Sequence, residues 1–234
     1  PIVKPAMEKG LNRIIRGQQE TGGWDYNYAK GERWDLSVSA WQIQALKAGY
    51  AAGAQVQGHE EAIALAVDWL KQVNYKGGKF GYASPGSGSA GMQGAGSLAL
   101  QLLGEGKSSQ AMAAVKNISD NMQPNWPEEG GGHANGSYAW YYQTQAMFHA
   151  GKSYFRDWNK KFAPMLIKHQ KADGHWDSPG EGEVAPYDAY YATALNALSL
   201  QVYYRYLPTY QDPDKIARAA GLFDLEEGLD LDLE

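Results

Sequence analysis

Three residues have both the chemistry and the setting for acid–base work. Asp35, His133 and Asp188 each stand near the start of a segment with helical periodicity, and a helix N-terminus stabilises negative charge close to it. Two carboxylates facing each other across a cleft can act as general acid and general base. His133, presented in "GGGHANG" with Glu128 and Glu129 close by, titrates near neutrality. A structural explanation stands beside each: Asp is favoured at helix caps and in first turns, which accounts for Asp35 and Asp188 without any reaction. The loop from 173 to 183 gathers Asp173, His175, Asp177, Glu181 and Glu183. Its oxygens suit calcium, but the ligand order of an EF loop is missing, and a solvated turn is the simpler reading. His149 and His169 fall within helical segments and read as satisfied side chains. No metal and no cofactor is expected.

The aromatic residues form the second set of candidates. With 8 Trp and 16 Tyr against 5 Phe, the aromatic surface is unusually polar-tipped, which suits the wall of a wet cleft as well as a core. Trp34, Tyr138, Trp140, Tyr141, Tyr187 and Tyr190 are the candidate ligand-binding residues, with Tyr26, Tyr28, Tyr142 and Tyr191 in the same groups. A hollow walled by them, with acids at its mouth, suits a sugar, a peptide or an isoprenoid. Packing between helices explains many of the same residues with no ligand.

Composition narrows the field. The chain of 234 residues is 44% hydrophobic, enough for one sizeable core or an array of repeats. Its net charge is −5 and it has no basic stripe, which argues against a nucleic-acid partner. No apolar run approaches the roughly 20 residues of a membrane-spanning helix. The absence of cysteine removes disulfides, thiol nucleophiles and thiolate zinc sites together. With a start at Pro1 and no charged-then-apolar leader, any targeting segment is expected to have been processed or cut away.

The elements that must position these residues recur along the chain. Four units can be laid out, over about 5–53, 59–106, 107–152 and 153–208, together forming a repeat domain over 1–210. Turn aromatics Trp24, Phe80, Trp126 and Trp176 follow one another at intervals of 56, 46 and 50 residues, the length of two helices with their loops. Apolar spacing predicts one helix face at Met7, Leu11, Ile14 and Ile15, another at Val38, Trp41, Ala45 and Ala48, and another at Tyr187, Tyr191, Ala194, Leu198 and Val202. Nothing alternates long enough for a sheet. Small residues crowd the second helix of a unit, as at Gly91, Gly94, Gly96 and Ser97, and predict an inner layer of close backbones. Loops over 84–91, 127–136 and 178–186 each precede a second helix and are expected at one rim, where function tends to sit. Residues 211–234 read as a short helix, Asp214 to Ala220, and an acidic tail.

A motif accompanies the repeat. Gln18, Gly22 and Trp24 stand at the same spacing as Gln170, Gly174 and Trp176, each preceded by Ile14 or Leu166. Leu70, Asn74, Gly78 and Phe80 form a worn copy, and the third unit keeps only Trp126. This pattern resembles the repeat of squalene and oxidosqualene cyclases, shared more loosely with protein prenyltransferase subunits. "SYAWYYQTQAMFHAG" and "YATALNALSLQVYYRYLP" are similar to bacterial secreted or envelope-associated proteins with prenyltransferase/squalene-oxidase repeats. The resemblance covers about residues 5–207. It implies an all-α fold, an α/α toroid of concentric helix layers, in which the repeat Gln packs on the Trp ring and bonds backbone groups at a helix end. A complete ring in that family has more hairpins than the four laid out here, so a partial barrel or part of a longer chain is expected. A secreted or periplasmic setting follows from the resemblance alone.

The family's reactions can be checked residue by residue. The Asp-x-Asp-Asp acid string of the cyclases is absent, and neither prenyltransferase zinc nor the thioester of complement-type toroids can be built without cysteine. The expectation is a non-catalytic module that binds a small molecule, a glycan or a protein. The alternatives are an enzyme using rim carboxylates on a polysaccharide and a divergent isoprenoid cyclase.

Overall fold

The computed structural model describes residues 3–127, 136–178 and 188–202. His133, Tyr187, Glu181, Glu183 and the tail after residue 202 lie outside them, as does the side chain of Asp188. The helices are α1 (Val3–Gly17), α2 (Leu36–Ala51), α3 (His59–Asp68), α4 (Ala90–Leu102), α5 (Ser109–Asn121), α6 (Gly136–His149), α7 (Lys152–His169) and α8 (Asp188–Gln201). A wider-wound segment, Trp69–Asn74, continues α3. The protein is all-α. Among the described residues no strand forms, and one isolated bridge, Lys76 to Lys79, closes a turn.

Even-numbered helices pack side by side in chain order, α2 on α4, α4 on α6 and α6 on α8, while α1, α3, α5 and α7 pack against them. α4 sits at the centre, and every residue from Gly91 to Leu102 is buried. Its small residues make that possible. A Cβ on Gly94 would stand 2.8 Å from the Gln143 nitrogen and 3.0 Å from the Tyr142 carbonyl carbon, so α4 and α6 meet backbone to backbone. The Phe80 ring covers the bare Cα of Gly96 in the same way.

Burial does not follow the apolar spacing on every helix. Leu11 is buried, with Met7, Ile14 and Ile15 partly buried against the core, so α1 turns its apolar stripe inward. On α2 the expected face is the more open one: Trp41 is exposed, Val38, Ala45 and Ala48 are half-buried, and Leu36, Ser39, Ala40, Ile43, Gln44, Leu46 and Lys47 are buried instead. The cause is position. α2 is enclosed by α1 and α3 together with α4, so several of its faces are covered and a single-stripe argument fails. α8 departs in part: Leu198 packs against the core and Val202 is buried as expected, but Tyr191 and Ala194 are exposed and Ala192, Leu195, Asn196 and Ser199 are buried.

Two glycine substitutions separate crowding from helix propensity. Gly10, on α1, has no atom within 4 Å of the position a Cβ would take, so Gly10→Ala is expected to raise stability by up to about 1 kcal/mol. Gly94→Ala gains the same propensity but forces α6 to move, with an expected loss of about 1 to 3 kcal/mol. Denaturant melts of the two variants check the contrast.

Candidate functional site

The site is built on turns that lock each first helix to the second. After α1 the chain makes a tight reversal in which Gly22 has φ 109°, and a side chain there would run into the Leu65 carbonyl and the Trp69 Cβ. Trp24 is fully buried. Its indole N–H donates to the Ile14 carbonyl at 2.8 Å, and its backbone N–H donates to Ser39 Oγ of α2 at 2.9 Å. The Gln18 amide donates to the Gly22 carbonyl and to the Ala62 carbonyl of α3, both at 2.9 Å, which ties the end of α1 to the next helix but one.

The turn after α7 makes the corresponding bonds. Gln170 donates to the Gly174 carbonyl at 2.8 Å, the Trp176 indole to the Leu166 carbonyl at 2.8 Å, and the Trp176 backbone N–H to Thr193 Oγ1 of α8 at 3.0 Å. Gly174 has φ 96°. At the turn over 74–81 the parts differ: Asn74 exchanges bonds with the Gly81 backbone at 2.9 and 3.2 Å, and the Gln93 amide, on α4, holds both backbone groups of buried Phe80. Gly78 there has φ 83°. Trp126 has different neighbours, stacking on His169 at 4.4 Å and tilting on Trp140 at 5.6 Å.

These turns set an acid among tyrosines. The Asp35 N–H donates to the Trp24 carbonyl at 2.9 Å, and the next N–H, of Leu36, donates to the Tyr82 carbonyl at 2.8 Å, so the start of α2 is stitched to two turns. Asp35 caps α2: its Oδ1 accepts from the Ser37 N–H at 2.8 Å, the Ser37 hydroxyl at 2.6 Å and the Val38 N–H at 3.4 Å. The residue is wholly buried, and its Oδ2 has no partner of good geometry, with the Tyr82 hydroxyl close enough to bond the carboxylate. Ser37 Oγ is 3.2 Å from the Tyr26 hydroxyl. Tyr138 and Tyr142 bury their hydroxyls without partners of good geometry, their rings meet edge-on at 4.9 Å, and Trp41 lies against Tyr142 at 5.7 Å and is stacked on Tyr141 at 5.3 Å. Tyr26, Tyr82 and Tyr191 are 56%, 43% and 46% exposed and present ring surface to solvent.

The phenols are held neutral. The adjacent Tyr26 hydroxyl, then burial, then the Asp35 charge and a hydrogen bond to Asp35 push the Tyr82 phenol up to about 12. Burial raises Tyr138, with smaller upward contributions from Tyr191, Asp35 and Tyr26 and an opposing one from the Tyr142 hydroxyl. Burial also lifts Tyr142 well above the ordinary value and raises Tyr191, where Tyr26 adds to it. None of these four is a phenolate near neutral pH, so the cluster offers hydroxyls and ring faces rather than a phenolate base.

The other candidates take different places. Trp34 is buried edge-on to Trp69 at 5.2 Å, Trp140 is buried against Trp126 and Phe162, and buried Tyr141 donates to Gln44 Oε1 at 3.0 Å. Those three serve the core and offer no open face for a ligand, because the indole or phenol that suits a wet wall suits a buried layer equally. Tyr190 is strongly exposed and Tyr138 half-buried in the cluster. Of the other two acid–base candidates, His133 lies outside the described residues and only the backbone of Asp188 is described. Tyr26 and Tyr191, from the same expected groups, belong to the cluster, and Tyr82 and Trp41 complete it beyond the expected set. A signal for two of them exists: Tyr82 follows Phe80 by the offset at which Tyr26 follows Trp24.

No family model and no curated protein matches the chain. Among the described residues no group of three His, Asp or Glu side chains converges as a metal site, and no helix is long and apolar enough to cross a membrane. In the loop after α7, Asp173 and Asp177 instead flank His175, at 2.5 Å from Nδ1 and 3.2 Å from Nε2, and Lys171 Nζ is 2.8 Å from Asp177.

That arrangement makes a pH prediction. Asp173 foremost, then Asp177, raises the His175 pKa above the ordinary 6.5. A raised imidazole stabilises the fold below its unfolded pKa and loses that contribution as pH rises through the folded value. An NMR titration of His175 should give a midpoint above 6.5 in the parent chain, returning toward the ordinary value when Asp173→Asn and Asp177→Asn are combined.

Proposed function

We propose that this chain is a non-catalytic binding module of the α/α-toroid type found in squalene-cyclase and prenyltransferase-like repeat proteins, with its ligand surface on the tyrosine cluster around Asp35. Support for the repeat reading comes from the matched bonds at Gln18 and Gln170, at Trp24 and Trp176, and from Ser39 and Thr193 to the turn backbone. Support for the partial ring comes from the packing order of α2, α4, α6 and α8 with the odd-numbered helices against them. An extracytoplasmic setting is carried by the resemblance alone.

The observation that carries the binding reading is the grouping of the buried acid Asp35, met by neutral donors, with the poorly bonded hydroxyls of Tyr138 and Tyr142 close to half-exposed aromatic rings. A buried polar atom left poorly paired costs about 1 to 3 kcal/mol and calls for a physical reason. Ring surface for a ligand comes from Tyr26, Tyr82, Tyr191 and Trp41, all of them exposed. Against the enzyme reading stand the capping bonds that occupy Asp35 Oδ1 and the raised phenols, which are poor bases at neutral pH.

Thermal-shift screening against oligosaccharides, peptides, lipids and small amines tests the assignment, using the parent chain and the double variant Tyr82→Leu/Tyr191→Leu. Both side chains are exposed, so the variant's own melting temperature should move little. A ligand that raises the melting temperature of the parent and not of the variant supports this surface. A ligand whose effect survives in the variant places binding elsewhere and overturns it.

A further inference from the structure

The chemistry around Asp35 selects among ligands, given the binding surface proposed above. Its carboxylate is buried and bonded by neutral donors, the Ser37 and Val38 groups of the helix cap and the Tyr82 hydroxyl, and among the described residues no Lys, Arg or His forms an ion pair with it. The basic side chains nearest in sequence are engaged elsewhere: Arg33 pairs with Asp25 at 3.3 Å, and Lys30 Nζ donates to the Gln18 carbonyl. The acid is therefore met by neutral donors and, among the described residues, by no basic side chain. Around it stand aromatic groups, with Tyr26 linked through Ser37, Tyr82 joined by its backbone to the start of α2, and the Tyr138, Tyr142 and Trp41 rings in contact.

We infer that the surface formed by Tyr26, Tyr82, Tyr191 and Trp41 beside Asp35 binds an organic ammonium ion, a quaternary or methylated amine. Aromatic faces carry negative quadrupole potential and attract a cation set against them. A buried carboxylate is felt through the intervening hydroxyls without direct contact, because a low-dielectric setting weakens charge less than water does. An anion is repelled by Asp35. A neutral sugar can stack on the rings but brings no positive charge to the acid, and a bare metal ion lacks the apolar surface to cover the rings. An alkylated ammonium uses both features together. The raised phenols of Tyr82 and Tyr191 remain neutral through the physiological range and add no charge of their own.

Isothermal titration calorimetry with choline, with its uncharged carbon isostere 3,3-dimethylbutan-1-ol, and with cello- and malto-oligosaccharides tests the inference on the full chain. Saturable choline binding is expected, at least tenfold tighter than the isostere. It should weaken at least tenfold in Asp35→Asn, which keeps a good helix cap while removing the charge, and in Tyr82→Leu. Circular-dichroism melts establish that both variants fold. If the oligosaccharides bind and lose affinity in Tyr82→Leu while choline does not bind, the ammonium inference is wrong and the binding surface stands. If choline and its isostere bind equally, or Asp35→Asn leaves choline affinity unchanged, the role of Asp35 is refuted. If no probe binds and Tyr82→Leu changes nothing, the inference fails together with the surface it rests on.

Discussion

The indole of Trp24 holds together elements that no local preference would bring into register. Its ring is fully buried, its Nε1–H reaches back to the Ile14 carbonyl near the end of α1, and its backbone N–H reaches forward to Ser39 on α2. One residue thereby satisfies a carbonyl in the last turn of one helix and fixes the lateral position of the next, supplying both the burial and the polar pairing that a helix end requires. The glycines are part of the same constraint. Gly22 must adopt a positive φ under α3, and Gly23 must lie against the Trp34 Cβ and the Trp69 ring, each 2.8 Å from where its own Cβ would be. Trp176 repeats the scheme between α7 and α8 with Thr193 in place of Ser39. Phe80 lacks an N–H on its ring, and there the hydrogen bonding passes to Gln93 and Asn74.

The tyrosine cluster depends on these turns. The Trp24 carbonyl receives the Asp35 N–H, and the Tyr82 carbonyl receives the Leu36 N–H, so the cap of α2 is held by the residues that also carry the aromatic side chains. Tyr26 follows Trp24 by two positions and Tyr82 follows Phe80 by two. A turn aromatic pointed inward thus sends a tyrosine out beside the start of α2. Scaffold and surface come from one short segment, and a change that loosens the turn should reach the cluster as well.

Several of these features were legible in the amino-acid order. The all-helical class followed from periodicity, and equal spacing drew attention to Gln18, Gly22 and Trp24 together with Gln170, Gly174 and Trp176. Asp35 before an apolar run read as a cap, although the poor pairing of its second oxygen is visible only in three dimensions. The buried face of α2 was not legible. With neighbours on several sides, the helix buries Ser39, Gln44 and Lys47 while exposing Trp41, and apolar spacing measures only how a helix with one covered side should look. Trp34, Trp140 and Tyr141 resemble Tyr26 and Tyr82 in composition. What separates them is the direction in which each leaves the backbone, which depends on packing between segments far apart in the chain.

Hydrogen exchange at the indole N–H groups reads the central constraint most directly. If the turn indoles hold the helix pairs together, the Nε1–H of Trp24 and Trp176 should exchange as slowly as the most protected amides of α4, and only through global unfolding, while half-exposed Trp41 exchanges far sooner. Exchange of Trp24 and Trp176 alongside Trp41, or well ahead of the α4 amides, would contradict the account.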